Sequence, residues 1–90
     1  MEWHWDERKA AANKAKHDIS FETAVLVFDD PMRLTVPDEH SDADRWRTFG
    51  RVGVGTLLVV HTIYPDDSGG RIISARKATV FERKSYEEEY

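Results

Sequence analysis

Apolar and polar positions change period along the chain, and the changes mark out the elements. Trp3 and Trp5 alternate with His4, which predicts a short first strand. Asp6 is a good N-cap and Glu7 suits a first helical turn. An alanine-rich helix then runs to about His17. Its polar residues Lys9, Asn13, Lys16 and His17 share one face. Ser20 is expected to cap a second helix, with Phe21, Ala24, Val25 and Phe28 as its core stripe. Asp29-Asp30-Pro31 ends it, because a proline disfavours helical geometry in the residue before it.

From there the period is two. Leu34 and Val36 alternate with polar neighbours until Pro37. The acidic stretch from Asp38 to Asp44 reads as a solvated loop. Over residues 45–54, Trp46, Thr48, Val52 and Val54 fall on one side, and Arg45, Arg47, Phe49 and Arg51 on the other. Gly53-Val54-Gly55 is a turn, and residues 56–64 make an almost wholly apolar strand suited to the middle of a sheet. Residues 65–70, Pro-Asp-Asp-Ser-Gly-Gly, form the clearest turn, and residues 71–76 the last strand. Arg76 is expected to share a face of that strand with Ile72 and Ser74. Thr79-Val80-Phe81-Glu82 matches a capping box and opens a final helix towards Tyr86.

This order predicts a single α+β domain over residues 1–90: an antiparallel sheet of about four to five strands, two N-terminal helices and one C-terminal helix. Short turns between successive strands imply antiparallel pairing, with the helices packed on one face.

Composition narrows the functions open to such a domain. A chain of 90 residues buries only about 60% of its unfolded surface, so a deep cavity for a large cofactor is not expected. No cysteine is present, which excludes disulfides and thiolate-bound zinc or iron–sulfur sites. His4, His17, His40 and His61 show no ligand spacing, and residues 38–44 lack the glycine and terminal glutamate of a calcium loop, so neither metal nor cofactor is expected. The N-terminus has no signal-peptide pattern, and Leu57-Leu58-Val59-Val60 is far too short to span a membrane. A cytoplasmic protein is the expectation.

The net charge is −4, yet it is segregated. Residues 29–44 hold Asp29, Asp30, Asp38, Glu39, Asp42 and Asp44 against Arg33 alone. Residues 45–64 hold Arg45, Arg47 and Arg51 with no acid, and residues 71–84 hold Arg71, Arg76, Lys77, Arg83 and Lys84 against Glu82. Such segregation creates a local positive field on an acidic protein.

Three groups of residues bear on chemistry. Arg45, Arg47, Phe49 and Arg51 on one strand face suit a phosphate backbone with a base to stack, or else a solvated face paired with the acidic loop. Arg76 suits bidentate phosphate binding, or else an ion pair with Asp6 or Glu82. Lys16-His17 at a helix end offers a proton-transfer group, or else a C-terminal cap for the helix dipole. His61, among Leu57, Val59 and Ile63, reads as a core histidine, and Glu82 as the capping-box acid.

Together these residues resemble the BrnT family of bacterial toxins. The likeness runs through Trp5-Asp6, Lys9, Asn13, Lys16-His17, Ser20-Phe21-Glu22, Ala24, Phe28 and Asp30-Pro31. It continues through Arg45, Gly50-Arg51, Ile73-Ser74-Ala75-Arg76, Ala78, Glu82-Arg83 and Tyr86. Asp18 departs from the glycine common after the histidine, and Asp42-Ala43-Asp44 from the usual glycine–glutamate before Arg45. The resemblance implies a RelE-like ribonuclease fold and metal-independent RNA cleavage that slows translation and growth. It also implies a BrnA-like ribbon–helix–helix antitoxin as partner, through which alone operator DNA is bound.

On that basis the ribose 2′-hydroxyl attacks the adjacent phosphate. Carried over by motif, the expected catalytic residues are His17 for proton transfer and Arg51 and Arg76 for charge stabilisation. Lys16, Arg45, Arg47 and Arg83 are expected to bind substrate, with Phe49 stacking a base. The competing expectation is a non-enzymatic domain that binds an acidic protein through its basic strand face.

Overall fold

The computed structural model describes residues 1–39 and 44–88, with the backbone alone at Glu88. The central part of the acidic loop, His40 to Ala43, lies outside the described residues. Strand β1 (Glu2–His4) leads into α1 (Glu7–His17), α2 (Phe21–Ala24) and a 3₁₀ helix (Val25–Asp29). Strands β2 (Leu34–Pro37), β3 (Trp46–Val52), β4 (Gly55–His61) and β5 (Gly69–Lys77) follow, then α3 (Val80–Glu88).

The five strands form one sheet in the order β1-β5-β4-β3-β2. From β2 to β5 the chain meanders and every pairing is antiparallel, as the short turns require. The sheet is nonetheless mixed, because β1 pairs with β5 in parallel. β1 is not joined to its neighbour by a hairpin; the helices and three strands intervene. That pairing extends β5 back into Gly69-Gly70, expected to be turn. A Cβ at Gly69 would collide with the Glu2 carbonyl, and φ there is +148°, so glycine is required where β1 docks.

Helices cover both faces of the sheet rather than one. Phe21, Ala24 and Val27, with Ile19, pack on Leu57, Val59, Ile72 and Ala75. The second helix is shorter than its stripe implied, because after Ala24 it tightens to a 3₁₀ turn. With about three residues per turn, Val27 takes the fully buried place expected of Phe28. Phe28 instead stacks on Trp3 with centroids 4.0 Å apart. Gly50 lies under this turn, where a Cβ would come within 2.7 Å of Val27 Cβ. On the opposite face, Tyr86 of α3 packs on Phe49 and Leu58.

The capping residues act as their sequence predicts. Asp6 accepts from the N–H groups of Arg8 (2.8 Å) and Lys9 (3.4 Å). Ser20 Oγ accepts from Thr23 N–H at 3.0 Å. Thr79 and Glu82 exchange both capping-box bonds, at 2.9 and 3.1 Å. α1 is held to the sheet by a polar residue. Asn13 Nδ2 donates to the Ala75 and Ile19 carbonyls, and its Oδ1 accepts from Ala75 N–H. Its amide thus pairs the edge of β5 beyond the end of β1 as a neighbouring strand would. Among the described residues no helix is long and apolar enough to cross a membrane.

Candidate functional site

Strand register gathers the arginines. Pro37 pairs with Trp46 and Val36 with Arg47, and Asp38 N–H donates to the Arg45 carbonyl at 2.9 Å. Asp38 is thereby fixed at the open end of the β2–β3 hairpin. Across the sheet, Arg47 lies opposite Val60 and Val60 opposite Ser74, while Phe49 lies opposite Leu58 and Leu58 opposite Arg76.

A register shift near Val60 and His61 sets which way Arg76 points. Val60 pairs with Ser74 but His61 pairs with Ile72, so Ile73 is an extra residue on β5. The bulge breaks the alternation expected for this strand. Ile72 faces α1 and α2, whereas Ser74 and Arg76 face the α3 side with Leu58 and Val60. There, Asp38, Arg45, Arg47, Leu58, Val60, Ser74 and Arg76 line a cleft of about 290 Å³.

Arg47 is the least exposed cation of the cleft for which a pair is formed, its side chain 27% exposed against 6% for Asp38. Their closest atoms, Nε and Oδ1, are 3.8 Å apart, an ion pair but too long for a hydrogen bond. Arg47 Nε is buried without a hydrogen-bond partner among the described residues. Arg76 meets Glu82 side-on, Nη1 to Oε1 at 2.8 Å and Nη2 to Oε2 at 3.0 Å, and donates to the Lys77 carbonyl at 3.2 Å. Of the two acids the sequence offered Arg76, it pairs with Glu82. These bonds use three of its five N–H groups, and among the described residues the other two have no bond. The bond from Arg76 chiefly, outweighing burial, brings the Glu82 carboxyl down to about 2.

Arg51 lies on the same strand face, four residues beyond Arg47 or about 13 Å along β3. It lines a second cleft, of about 270 Å³, with Asp30, Met32, Tyr86 and Glu87. Its Nη2 is 3.5 Å from Glu87 Oε1, and Arg83 Nε is 4.0 Å from the same oxygen. Both contacts are solvent-exposed and therefore weak. Asp30 organises this cleft: its carboxylate accepts from Tyr86 Oη (2.6 Å), Arg51 N–H (2.7 Å) and Met32 N–H (2.8 Å).

Phe49 does not stand free to stack a base. It is 7% exposed, packed between Leu58 and Tyr86, and it separates Arg47 from Arg51 along the strand. Lys16 is exposed and His17 half-buried at the end of α1; neither lines the two clefts. Asp18, which stands where glycine is common, takes the left-handed conformation (φ 59°, ψ 28°) and closes the helix through an N–H bond to Lys14 O. Its turn lies beside the end of β5, where the charge of Lys77 reaches it. His61 is a core residue: Thr48 Oγ1 is 2.7 Å from Nε2 and the Thr62 carbonyl 2.8 Å from Nδ1. Burial pushes its pKa down, against the Thr62 carbonyl, and keeps the ring neutral.

Asp38 is the cleft residue that sequence reading assigned to solvent. The signal was the pairing of the 34–37 strand with the strand containing Trp46, which sets Asp38 against Arg45.

Comparison with known proteins gives one family. Residues 5–82 match the family described as "Ribonuclease toxin, BrnT, of type II toxin-antitoxin system". No curated protein matches the chain.

Proposed function

Since the chain belongs to the BrnT family of ribonuclease toxins of type II toxin–antitoxin systems, we propose that it grips the RNA backbone in the cleft of Arg45, Arg47 and Arg76 and cleaves it without a metal. Family membership brings an RNA substrate and an antitoxin partner. The observation that carries the site is the meeting of three guanidiniums, from β3, β5 and the residue before β3, in one cleft. Among the described residues, Arg47 offers a buried N–H without an acceptor, and Arg76 two N–H groups with no bond. A phosphodiester oxygen satisfies such donors.

In this reading the guanidiniums stabilise the charge that builds on phosphorus when the 2′-hydroxyl attacks, usually the largest catalytic contribution. Arg51, further along the same face, holds a flanking phosphate. The cognate antitoxin is a BrnA-like ribbon–helix–helix protein that carries operator binding. Helices on a five-stranded sheet support reading the fold as RelE-like.

The test is cleavage of RNA by the purified protein in EDTA. Arg45→Ala and Arg47→Ala are expected to lower cleavage by ~10²-fold each, and to reduce the salt dependence of RNA binding by about one phosphate contact each. Parent-level cleavage in both, at unchanged melting temperature, removes the cleft from the mechanism.

A further inference from the structure

We infer that Asp38 is the general base of the cleavage reaction, an assignment that rests on the arginine cleft being the phosphate site. Asp38 is the carboxylate that lines this cleft among the described residues. Its Oδ1 lies 3.8 Å from Arg47 Nε, so a phosphodiester bound by Arg47 is bound beside a carboxylate. The hairpin holds it there: the bond from Asp38 N–H to the Arg45 carbonyl ties its backbone to the arginine strand. A base fixed next to the phosphate site needs little reorganisation to reach the adjacent 2′-hydroxyl.

Glu82, which pairs with Arg76, is poorly suited. Both oxygens of Glu82 are taken up by Arg76, and one also by Thr79 N–H. Arg76 holds its carboxyl at about 2, which makes it a weak proton acceptor. The Asp38–Arg47 contact is long by comparison, and no bidentate bond has to be broken there.

The step balances as follows. The 2′-hydroxyl gives its proton to an Asp38 carboxylate oxygen while its oxygen bonds to phosphorus. The bond from phosphorus to the 5′-oxygen breaks, leaving a 2′,3′-cyclic phosphate. The departing 5′-oxygen takes a proton from water, and Asp38 returns its own to solvent.

Single-turnover cleavage of a short RNA, and binding of its uncleavable 2′-deoxy form, test this. Asp38→Asn is expected to cut ~10²-fold or more slowly while binding stays within about threefold or tightens, a negative charge having left the cleft. A rate within about threefold of the parent overturns the inference. So does a loss of binding that matches the loss of rate, which marks Asp38 as a residue that only orients Arg47. Should Asp38→Asn fold poorly, Asp38→Glu carries the test, since it keeps the charge but moves the oxygen by one methylene. A base role then lowers the rate at unchanged binding, and the parent rate overturns it. Arg45→Ala and Arg47→Ala run alongside: if they bind and cut as the parent does, the cleft itself is misassigned and both readings fall. If they fail while Asp38→Asn cuts normally, the base assignment alone falls.

Discussion

Arg76 and Glu82 meet in a two-point ion pair, 2.8 and 3.0 Å, that joins the last strand to the helix following it. Glu82 also closes the N-terminus of that helix through Thr79. One carboxylate therefore caps α3, fixes its approach to the sheet and orients a guanidinium at the cleft.

The pair makes stability depend on acid in a defined window. The Glu82 carboxyl falls from 4.5 to about 2 on folding, chiefly through the bond from Arg76. A depressed carboxyl pKa stabilises fully above the unfolded value and loses that contribution as pH falls through the folded one. The loss should run from about pH 4.5 down to about 2. Arg76 is 38% exposed, so screening limits the contribution to the order of 1–2 kcal/mol. Urea unfolding of Glu82→Gln should show a deficit of that size at pH 7 that shrinks below pH 4. A deficit that does not change with pH denies the ion pair this role.

Much of this arrangement is legible in the residues. Alternation placed Arg45, Arg47 and Arg51 on one face, and the capping box placed Glu82. Four features were not legible, each for a physical reason. Parallel pairing of β1 depends on a contact between residues nearly seventy positions apart, which no local pattern carries. The bulge at Ile73 reverses the side to which Arg76 points without any glycine or proline to mark it. Phe49 reads as available for stacking because its strand neighbours are arginines; only the return of Tyr86 across the sheet buries it. Asp38 was hidden by its acidic neighbours, though Pro37 marked the end of a pairing strand beside it.

Asn13 should be among the most sensitive positions for stability. Its buried amide makes three hydrogen bonds, two of them to the backbone of Ala75. Asn13→Ala leaves a buried N–H and two carbonyls without partners, at a cost of about 2–4 kcal/mol. Asn13→Asp should be no better, because a carboxylate cannot donate to the Ile19 and Ala75 carbonyls and would be desolvated beside them. The measurement is the urea midpoint of each variant, together with hydrogen exchange at the Ala75 amide. That amide should exchange much faster in Asn13→Ala, and slow exchange there denies Asn13 its role at the strand edge.

Tyr86 ties α3 to the other end of the arginine face through Asp30. Burial alone would raise the Asp30 carboxyl, but the bonds from Tyr86, Arg51 N–H and Met32 N–H outweigh it and leave the pKa below its ordinary 3.8. Tyr86→Phe keeps the ring on Phe49 and Leu58 and removes only the hydroxyl, so it should cost about 1–2 kcal/mol at pH 7. It should also let the Asp30 pKa rise. Because Asp30 favours the folded state only while ionised, the deficit of Tyr86→Phe should narrow as pH falls below 3.8. An NMR titration of the Asp30 carboxyl in both proteins, with unfolding followed at pH 7 and pH 3, reads the two effects separately. An unmoved Asp30 titration means that the hydroxyl does not hold this carboxylate.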